Sequence, residues 1–317
     1  MRVAASLVLA LLLAQEARAE ERWALILSGA SGGSKYAEQM REWRTTLSSA
    51  LVDRYGFTAG KVRVFSDETD KTGPQATAEN IRRAIGELRK EMTRSDLLLI
   101  ILLGHGTYDG DTAKFNLVGP DLTAADWASL LNGVPGRLVI VNSTEASFPF
   151  LERLSGANRV VITATDSAAQ KYATVFPEYF SKAMSEASSD LDKNGRTSIF
   201  EVFEATSTAV KQHYEQRGQL TTERPIMDDN GDGIGRESEA PGPDGALARL
   251  VYLDAETPAA ASDPELAGLL RRRRELEGDA EALKLKKGTM PGPAWEAEYE
   301  KLMIELAKVS REIRARS

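Results

Sequence analysis

Runs of consecutive apolar residues recur along the chain and predict buried β-strands. Between them, apolar residues return every three or four positions, as in segment 36–51, which is typical of amphipathic helices. Strands that are apolar along their whole length are buried on both faces, as in parallel sheets covered by helices. The pattern therefore predicts an α/β fold with a mostly parallel six-stranded sheet and helices on both faces. The predicted strands are 23–29, 61–67, 96–104, 137–142, 159–165 and 248–253.

The last part of the chain, 262–317, has a different pattern. Two segments carry apolar residues at near-heptad spacing, and the stretch "KKGTMPGPA" (286–294) separates them. This arrangement predicts an antiparallel C-terminal helical hairpin of coiled-coil type. Such a hairpin would close on itself or allow self-association through the C-terminal helices. The charged run "RRRRELE" within it indicates a solvated helix face.

Composition narrows the chemistry that the chain can perform. It has 317 residues, a formal net charge of −7 and no cysteine. The acidic balance argues against a nucleic-acid partner, which requires a basic face. Without cysteine the chain forms no disulfide, no thiolate metal site and no thiol nucleophile.

The first residues, 1–19, have the pattern of a secretory signal peptide. Arg2 precedes the apolar run 3–14, and Ala17-Arg18-Ala19 matches a small-residue cleavage site. The run is shorter than the ~20 residues needed to span a bilayer, so no stable membrane span is expected. We therefore expect cleavage after Ala19 and a secreted or periplasmic product.

Polar residues follow two of the predicted strands at the point where each strand ends. The strand 96–104 runs into His105 and Gly106, and the strand 137–142 runs into a polar elbow, 142–147. In open α/β sheets the ligand crevice lies outside the carboxyl ends of the strands. The sequence therefore predicts that His105 and this elbow share one crevice.

The unit "ATAENIRRAIGELRKEMTRSDLLLIILLGHG" (76–106) resembles the helix–strand–His-Gly unit of the caspase/legumain clan of cysteine peptidases. "WALILSGASGGSKY" (23–36) is similar to the first strand and loop of legumain-like members, and "RVVITATDS" (159–167) to their later strand. The resemblance implies a caspase-like domain over 20–255, with an insert at about 181–240. It also implies a peptidase site in which His105 and Gly106 match the family pattern.

The nucleophile elbow departs from the family pattern. There, the cysteine lies in an "Asp-Ala-Cys-x-Ser-Gly"-like segment; setting Ser147 against its serine puts Glu145 at the cysteine position. The resemblance then implies a pseudo-peptidase with a binding or scaffolding role toward a protein or peptide partner. In a second interpretation, Ser143 or Thr144 is a hydroxyl nucleophile and His105 its base, giving an active hydrolase. In a third, the chain is a calcium-dependent structural module.

Segment 190–201, "DLDKNGRTSIFE", has the spacing of an EF-hand calcium loop. Calcium prefers six to eight oxygen ligands, and Gly195 permits the sharp turn that converges them. Helical patterns on both sides, 176–189 and 198–216, support a helix–loop–helix unit. A helix-capping turn without an ion remains the alternative. The candidate ligands are Asp190, Asp192, Asn194, Arg196 through its carbonyl, Ser198 and Glu201.

Segment 228–239, "DDNGDGIGRESE", fits the same spacing. Its flanks are poor helix formers, because Pro225 precedes it and "APGPDG" follows it. Calcium binding and an acidic turn without an ion therefore both stay open. The candidate ligands are Asp228, Asn230, Asp232, Ile234 and Glu239.

Overall fold

The computed structural model describes residues 20–68, 73–170, 172–254 and 263–316. The predicted signal segment 1–19 lies outside the described residues. The strands are β1 Arg22–Ser28, β2 Val62–Phe65, β3 Leu97–Leu103, β4 Gly106–Tyr108, β5 Ala113–Phe115, β6 Leu122–Thr123, β7 Arg137–Asn142, β8 Arg159–Thr163 and β9 Ile226–Asp228. The helices are α1 Ser34–Ser49, α2 Ala78–Glu91, α3 Ala124–Leu131, α4 Phe148–Leu154, α5 Phe176–Ser185, α6 Ile199–Gln216, α7 Ala246–Leu250, α8 Pro264–Leu285 and α9 Gly292–Arg314.

A six-stranded sheet in the order β2-β1-β3-β7-β8-β9 forms the centre of the fold. The first five strands pair in parallel, and β9 joins β8 antiparallel. The predicted α/β class with a mostly parallel six-stranded sheet is therefore confirmed. A small antiparallel sheet, β4-β5-β6, lies beyond the end of β3.

Strand β3 explains why the sequence there is apolar without alternation. Its residues are all buried, and alternate ones enter two separate hydrophobic clusters on opposite faces of the sheet. Leu99 and Ile101 pack in the cluster that contains residues of α1, α5 and α6. Leu98 and Ile100 pack in the cluster that contains residues of α2, α3 and α4. Helices therefore cover both faces, as parallel sheets require.

The predicted sixth strand, 248–253, is wrong. Its first half belongs to helix α7, and the sixth strand of the sheet is β9. The Asp229 carboxylate accepts hydrogen bonds from the backbone N–H groups of Gly245 and Ala248 at 2.9 and 2.7 Å, which stabilises the start of this helix. A short apolar run does not distinguish a strand from a buried helix. Residues 251–253 are extended, but they pair with the acidic loop through the bridge of Tyr252 with Ser198.

The C-terminal residues form the predicted helical hairpin. Arg316 pairs with Glu265 at 2.7 Å, and Arg272 pairs with Glu305 at 3.0 Å, so α8 and α9 run antiparallel. Near the turn, the indole N–H of Trp295 donates to the Leu283 carbonyl at 2.8 Å. Self-association through these helices stays a prediction. Among the residues that the structure describes, no helix is both long and apolar enough to cross a membrane.

We expect Leu99→Ala to lower the free energy of unfolding by about 2–5 kcal/mol, because it opens a cavity in a close-packed core. Leu220→Ala is the matched control, since Leu220 is 90% exposed and its truncation should change the same quantity by less than about 0.5 kcal/mol. Urea unfolding followed by circular dichroism measures both. Equal effects of the two substitutions would contradict the described core.

Candidate functional site

The carboxyl ends of β3 and β7 lie side by side, as the crevice hypothesis requires. Leu102 pairs with Asn142 in the sheet, so the residues that follow each strand emerge next to one another. Gly104, with φ +133°, directs the chain out of β3 toward His105. The structure therefore brings His105 and the 142–147 elbow together.

Glu145, rather than a hydroxyl, is the elbow's partner of His105. One carboxylate oxygen of Glu145 lies 3.3 Å from His105 Nδ1, and the other accepts the Gly106 backbone N–H at 3.3 Å. Both side chains are mostly buried, with 21% of the histidine and 14% of the glutamate exposed. The pair thus lies where the two strands end, and the Glu145 carboxylate contacts both the imidazole of His105 and the Gly106 N–H.

The Glu145 carboxylate changes the acidity of the imidazole. Its hydrogen bond raises the pKa of His105 above the ordinary value, burial opposes this shift, and the negative charge of Glu145 adds to it. A hydrogen bond with the Ser31 backbone acts in the same direction. A carboxylate beside an imidazole forms an ion pair when the ring is protonated. The arrangement therefore stabilises the protonated ring relative to a free imidazole.

Ser143 and Thr144 point into the protein. The Ser143 hydroxyl donates to the Leu102 carbonyl at 2.7 Å, and Ser143 is 1% exposed. Thr144 is fully buried, and a Cβ added at Gly106 would lie 2.6 Å from its Oγ1. Glycine is thus required beside the threonine, whose hydroxyl lies under the backbone after His105. This placement favours neither hydroxyl as the attacking group.

Two further residues of the crevice, Tyr36 and Thr165, were not predicted from the sequence. The Tyr36 ring packs edge-on against His105, with 4.7 Å between ring centroids. Ser147 and Thr165 join the ends of β7 and β8 through their hydroxyls, 3.0 Å apart. Tyr36 was predicted only as part of an amphipathic helix. Its place directly after the glycine-rich turn 29–33 is the signal that could have assigned it to the crevice.

The first acidic loop lies between two helices. Helix α5 and a short 3-10 turn precede it, and helix α6 follows it. Asp190 accepts the backbone N–H groups of Asn194 and Gly195 at 3.0 and 2.9 Å, which closes the turn. Gly195 has φ +82°, a conformation that favours glycine. The local conformation is a tight turn held by its first carboxylate.

Three carboxylates of this loop converge. Oxygen atoms of Asp190, Asp192 and Glu201 all lie within 4.8 Å of one another. The Glu201 carboxylate also accepts backbone N–H groups of Leu191 and Ser198 at 2.9 and 2.7 Å. Burial raises the pKa of Asp192, and the negative charges of Glu201 and Asp190 add to this effect. The oxygen-only donor set fits a hard cation such as calcium.

The other candidate ligands of the loop are close to this cluster. The Asn194 side-chain oxygen accepts the Arg196 N–H at 2.8 Å, and its amide nitrogen donates to Asp192 at 2.9 Å. The Ser198 hydroxyl donates to Glu201 at 2.7 Å and caps the start of α6. The structure therefore places all the predicted ligand residues of 190–201 around one turn.

The second acidic loop closes only in its first half. Asp228 is buried and accepts the backbone N–H groups of Gly231 and Gly233 at 2.8 and 2.9 Å. Glu239, at the closing position of the pattern, is exposed and pairs with Lys211 at 2.7 Å. In the described residues its carboxylate does not belong to the group of converging acids. The loop thus lacks the bidentate closure that its spacing suggested.

An arginine supplies a positive charge inside the second loop. Arg236 lies 3.3 Å from Asp232 and pairs also with the buried Asp244. Its guanidinium donates to the Ile234 carbonyl at 3.0 Å, and Asp232 bonds with Asn230 at 3.2 Å. The predicted ligands Asn230, Asp232 and Ile234 therefore already bind protein groups. Ion binding at 228–239 stays a prediction.

Similarity to known proteins agrees with the resemblance found in the sequence. No protein-family model matches the chain. Metacaspase-4 of Arabidopsis thaliana is 33% identical over 107 residues, which are 30% of this chain and 25% of that protein. Metacaspase-6 of the same plant is 31% identical over 97 residues, which are 27% of this chain and 26% of that protein. This distant similarity supports a caspase-like peptidase fold.

The matches cover only parts of the proteins compared. Metacaspase-7 of Arabidopsis thaliana is 41% identical over 61 residues, 19% of this chain and 15% of that protein. The chain therefore spans about a quarter or less of the length of the curated relatives that it matches. A crystal structure of a protein from Geobacter sulfurreducens covers 68% of this chain and 97% of that one, with a TM-score of 0.42 and 13% identity.

We expect Glu145→Gln to lower the pKa of His105, because the neutral amide removes the negative charge and replaces a charged acceptor by a weaker neutral one. Titration of the ring protons by NMR measures this change. His213 is the internal control, because it bonds with Tyr179 and its pKa is lowered by burial rather than by the elbow. An unchanged His105 pKa in Glu145→Gln would contradict the ion pair.

The same pair should make stability depend on pH. A histidine whose pKa is raised by folding contributes stability that is fully present below the unfolded value of about 6.5 and is lost as pH rises through the folded pKa. We therefore expect Glu145→Gln to destabilise the protein near pH 5.5, by up to about 1 kcal/mol for a partly exposed pair, and less near pH 9. Urea unfolding at both pH values measures the difference.

Proposed function

We propose that this protein is an exported caspase-like pseudo-peptidase, stabilised by calcium, that binds a protein or peptide partner. The observation that carries the proposal is the contact of Glu145 with both His105 and the Gly106 N–H. By the sequence alignment, Glu145 takes the place of the family's cysteine. The function would then be recognition without cleavage.

Chemistry supports this interpretation of the elbow. Cysteine peptidases need a thiolate activated by an imidazole, together with backbone N–H groups that stabilise the oxyanion. Here the chain has no cysteine, and the Gly106 N–H already binds a carboxylate. A carboxylate in an ion pair with His105 is a weak nucleophile toward an amide. These observations support a site that keeps the positions of His105 and Gly106 but lacks an attacking atom.

The active hydrolase remains the second candidate. Ser143 and Thr144 directly precede Glu145 in the chain, so a rearranged elbow could present either hydroxyl to His105. The bond of the Ser143 hydroxyl with the Leu102 carbonyl argues against this arrangement. Because Ser143 and Glu145 belong to one elbow, substitutions at each separate the two candidates.

Calcium is proposed to bind the loop 190–201. The observation that supports it is the convergence of Asp190, Asp192 and Glu201 between two helices. An ion would remove the repulsion among these carboxylates, with Asn194, Ser198 and the Arg196 carbonyl as further oxygen ligands. Extracellular calcium modules bind with dissociation constants of about 10⁻⁴–10⁻³ M, so a modest affinity would suffice outside the cell.

We expect no peptidase turnover above background on peptides with Asn, Asp, Arg or Lys at the cleaved position. Release of a fluorescent leaving group measures the rate. A robust rate that His105→Ala and Ser143→Ala both abolish would establish the hydrolase instead. Glu145→Cys restores the missing thiol beside His105, so a gain of activity in that variant, with Glu145→Gln as its inactive control, would support the assignment of the elbow.

We expect calcium at about 10 mM to raise the melting temperature by a few degrees, because a concentration a hundredfold above a dissociation constant of about 10⁻⁴ M stabilises a site by about 2.7 kcal/mol. Glu201→Gln should remove most of this increase, since it loses the closing carboxylate. The matched control is Glu239→Gln, the same change at the corresponding position of the second loop, which should keep the increase. Asp228→Asn should have an intermediate effect. Thermal denaturation of the unsubstituted protein and the three variants, each with calcium and with chelator, measures these effects. Identical curves of the unsubstituted protein with calcium and with chelator would contradict an ion site.

A further inference from the structure

A first chain of contacts joins the acidic loop to the C-terminal hairpin. The Arg196 guanidinium lies over the Tyr252 ring, 3.8 Å from its centroid. The Tyr252 hydroxyl donates to the Glu277 carboxylate on helix α8 at 2.9 Å. Glu277 in turn pairs with the buried Arg273 at 3.6 Å. A side chain of the loop therefore reaches the hairpin through a single tyrosine.

A second chain of contacts runs parallel to the first. Phe200, near the end of the loop, is fully buried and stacks under the Arg249 guanidinium at 3.4 Å. Arg249 pairs with Glu281 on α8 at 3.6 Å. Glu277 and Glu281 are four residues apart, so they lie on the same face of the helix. Both chains of contacts therefore meet one face of α8.

The backbone strengthens the connection at the loop. The Ile199 N–H donates to the Val251 carbonyl at 2.8 Å, and the Leu253 N–H donates to the Thr197 carbonyl at 2.9 Å. Asp254 accepts the Thr197 N–H at 3.0 Å. Segment 251–254, which carries Tyr252, is thus held against the second half of the loop.

We infer that the acidic loop controls the docking of the C-terminal hairpin, so that a cation bound at 190–201 holds helix α8 on the sheet domain. This inference rests on the calcium site proposed above and extends it to a regulatory contact. The second half of the loop supplies both the ligands Arg196 and Glu201 and the side chains that reach α8. An ion that fixes this half therefore favours the docked hairpin.

The direction of the effect follows from linkage. Without an ion, the three clustered carboxylates repel one another, which weakens the conformation of 196–201 that the contacts to α8 require. A ligand shifts an equilibrium toward the state that binds it more tightly, and that state is the one with an ordered loop. The docked hairpin should in turn raise the affinity of the loop for the ion by the same factor.

Hydrogen exchange of the full chain tests this coupling. Peptides covering α8 are followed in millimolar calcium and in chelator, and calcium binding is measured separately by titration calorimetry. We expect calcium to slow exchange in α8 by about tenfold, within the range of typical coupling factors. In the double variant Arg249→Gln with Tyr252→Phe, calcium should slow it by less than about twofold.

Matched controls keep the test specific. The control variant Arg272→Gln with Tyr108→Phe makes the same two kinds of change elsewhere. Arg272 pairs with Glu305 between α8 and α9, and the Tyr108 hydroxyl donates to the Gly110 carbonyl. This variant should keep the calcium response. Glu277→Gln is a milder variant that should reduce the response if the double variant does not fold.

The outcomes separate the two proposals. If calorimetry detects no calcium binding to the folded chain, the ion site fails and the coupling fails with it. If calcium binds but exchange in α8 does not respond, or responds equally in the double variant and its control, the coupling alone is wrong.

Discussion

The alignment of the central strands depends on Asp96, a fully buried residue that precedes β3. Its carboxylate accepts the backbone N–H groups of Glu21 and Thr93 at 3.0 and 2.7 Å, and its carbonyl accepts the Arg137 N–H at 2.9 Å. One residue thus connects the starts of β1 and β7 to β3. A strand that is apolar on both faces has no polar side to fix its register, so hydrogen bonds at its end must do so. At the other end of the same strands, this register places His105 beside Glu145.

The same scaffold would serve either a peptidase or a binding protein, because the sheet determines only where the residues after its strands lie. What the residue at position 145 can do depends on its own chemistry: a thiolate attacks, whereas a carboxylate pairs with the imidazole and accepts the Gly106 N–H. Of the nearby hydroxyls, that of Ser143 donates to the Leu102 carbonyl, and that of Thr144 is buried without a hydrogen-bond partner among the described residues. The elbow is therefore well ordered for a role that does not require it to move.

Sequence patterns predicted the elements that depend on hydrophobic periodicity. They failed for elements whose conformation depends on contacts between distant segments. The parallel strands were predicted because burial on both faces leaves long apolar runs, and the hairpin because heptad spacing is regular. Helix α7 was missed because its start depends on Asp229, sixteen residues before Gly245. Tyr36 and Thr165 join the crevice only because the fold brings distant segments together. The elbow was located by the polar run that follows an apolar strand, and only the place of Glu145 at the cysteine position followed from the family resemblance.

The two acidic loops have similar sequences, but their negative charges are arranged differently. The first gathers three carboxylates, and its Arg196 pairs with Asp254 outside the loop. The second has Arg236 bridging Asp232 and Asp244. Arginine stays protonated at any physiological pH and is covalently part of the chain, so no chelator can remove it. A loop of the second kind is therefore held closed whatever ions the solution contains, whereas a loop that gathers carboxylates alone would depend on the cations around it.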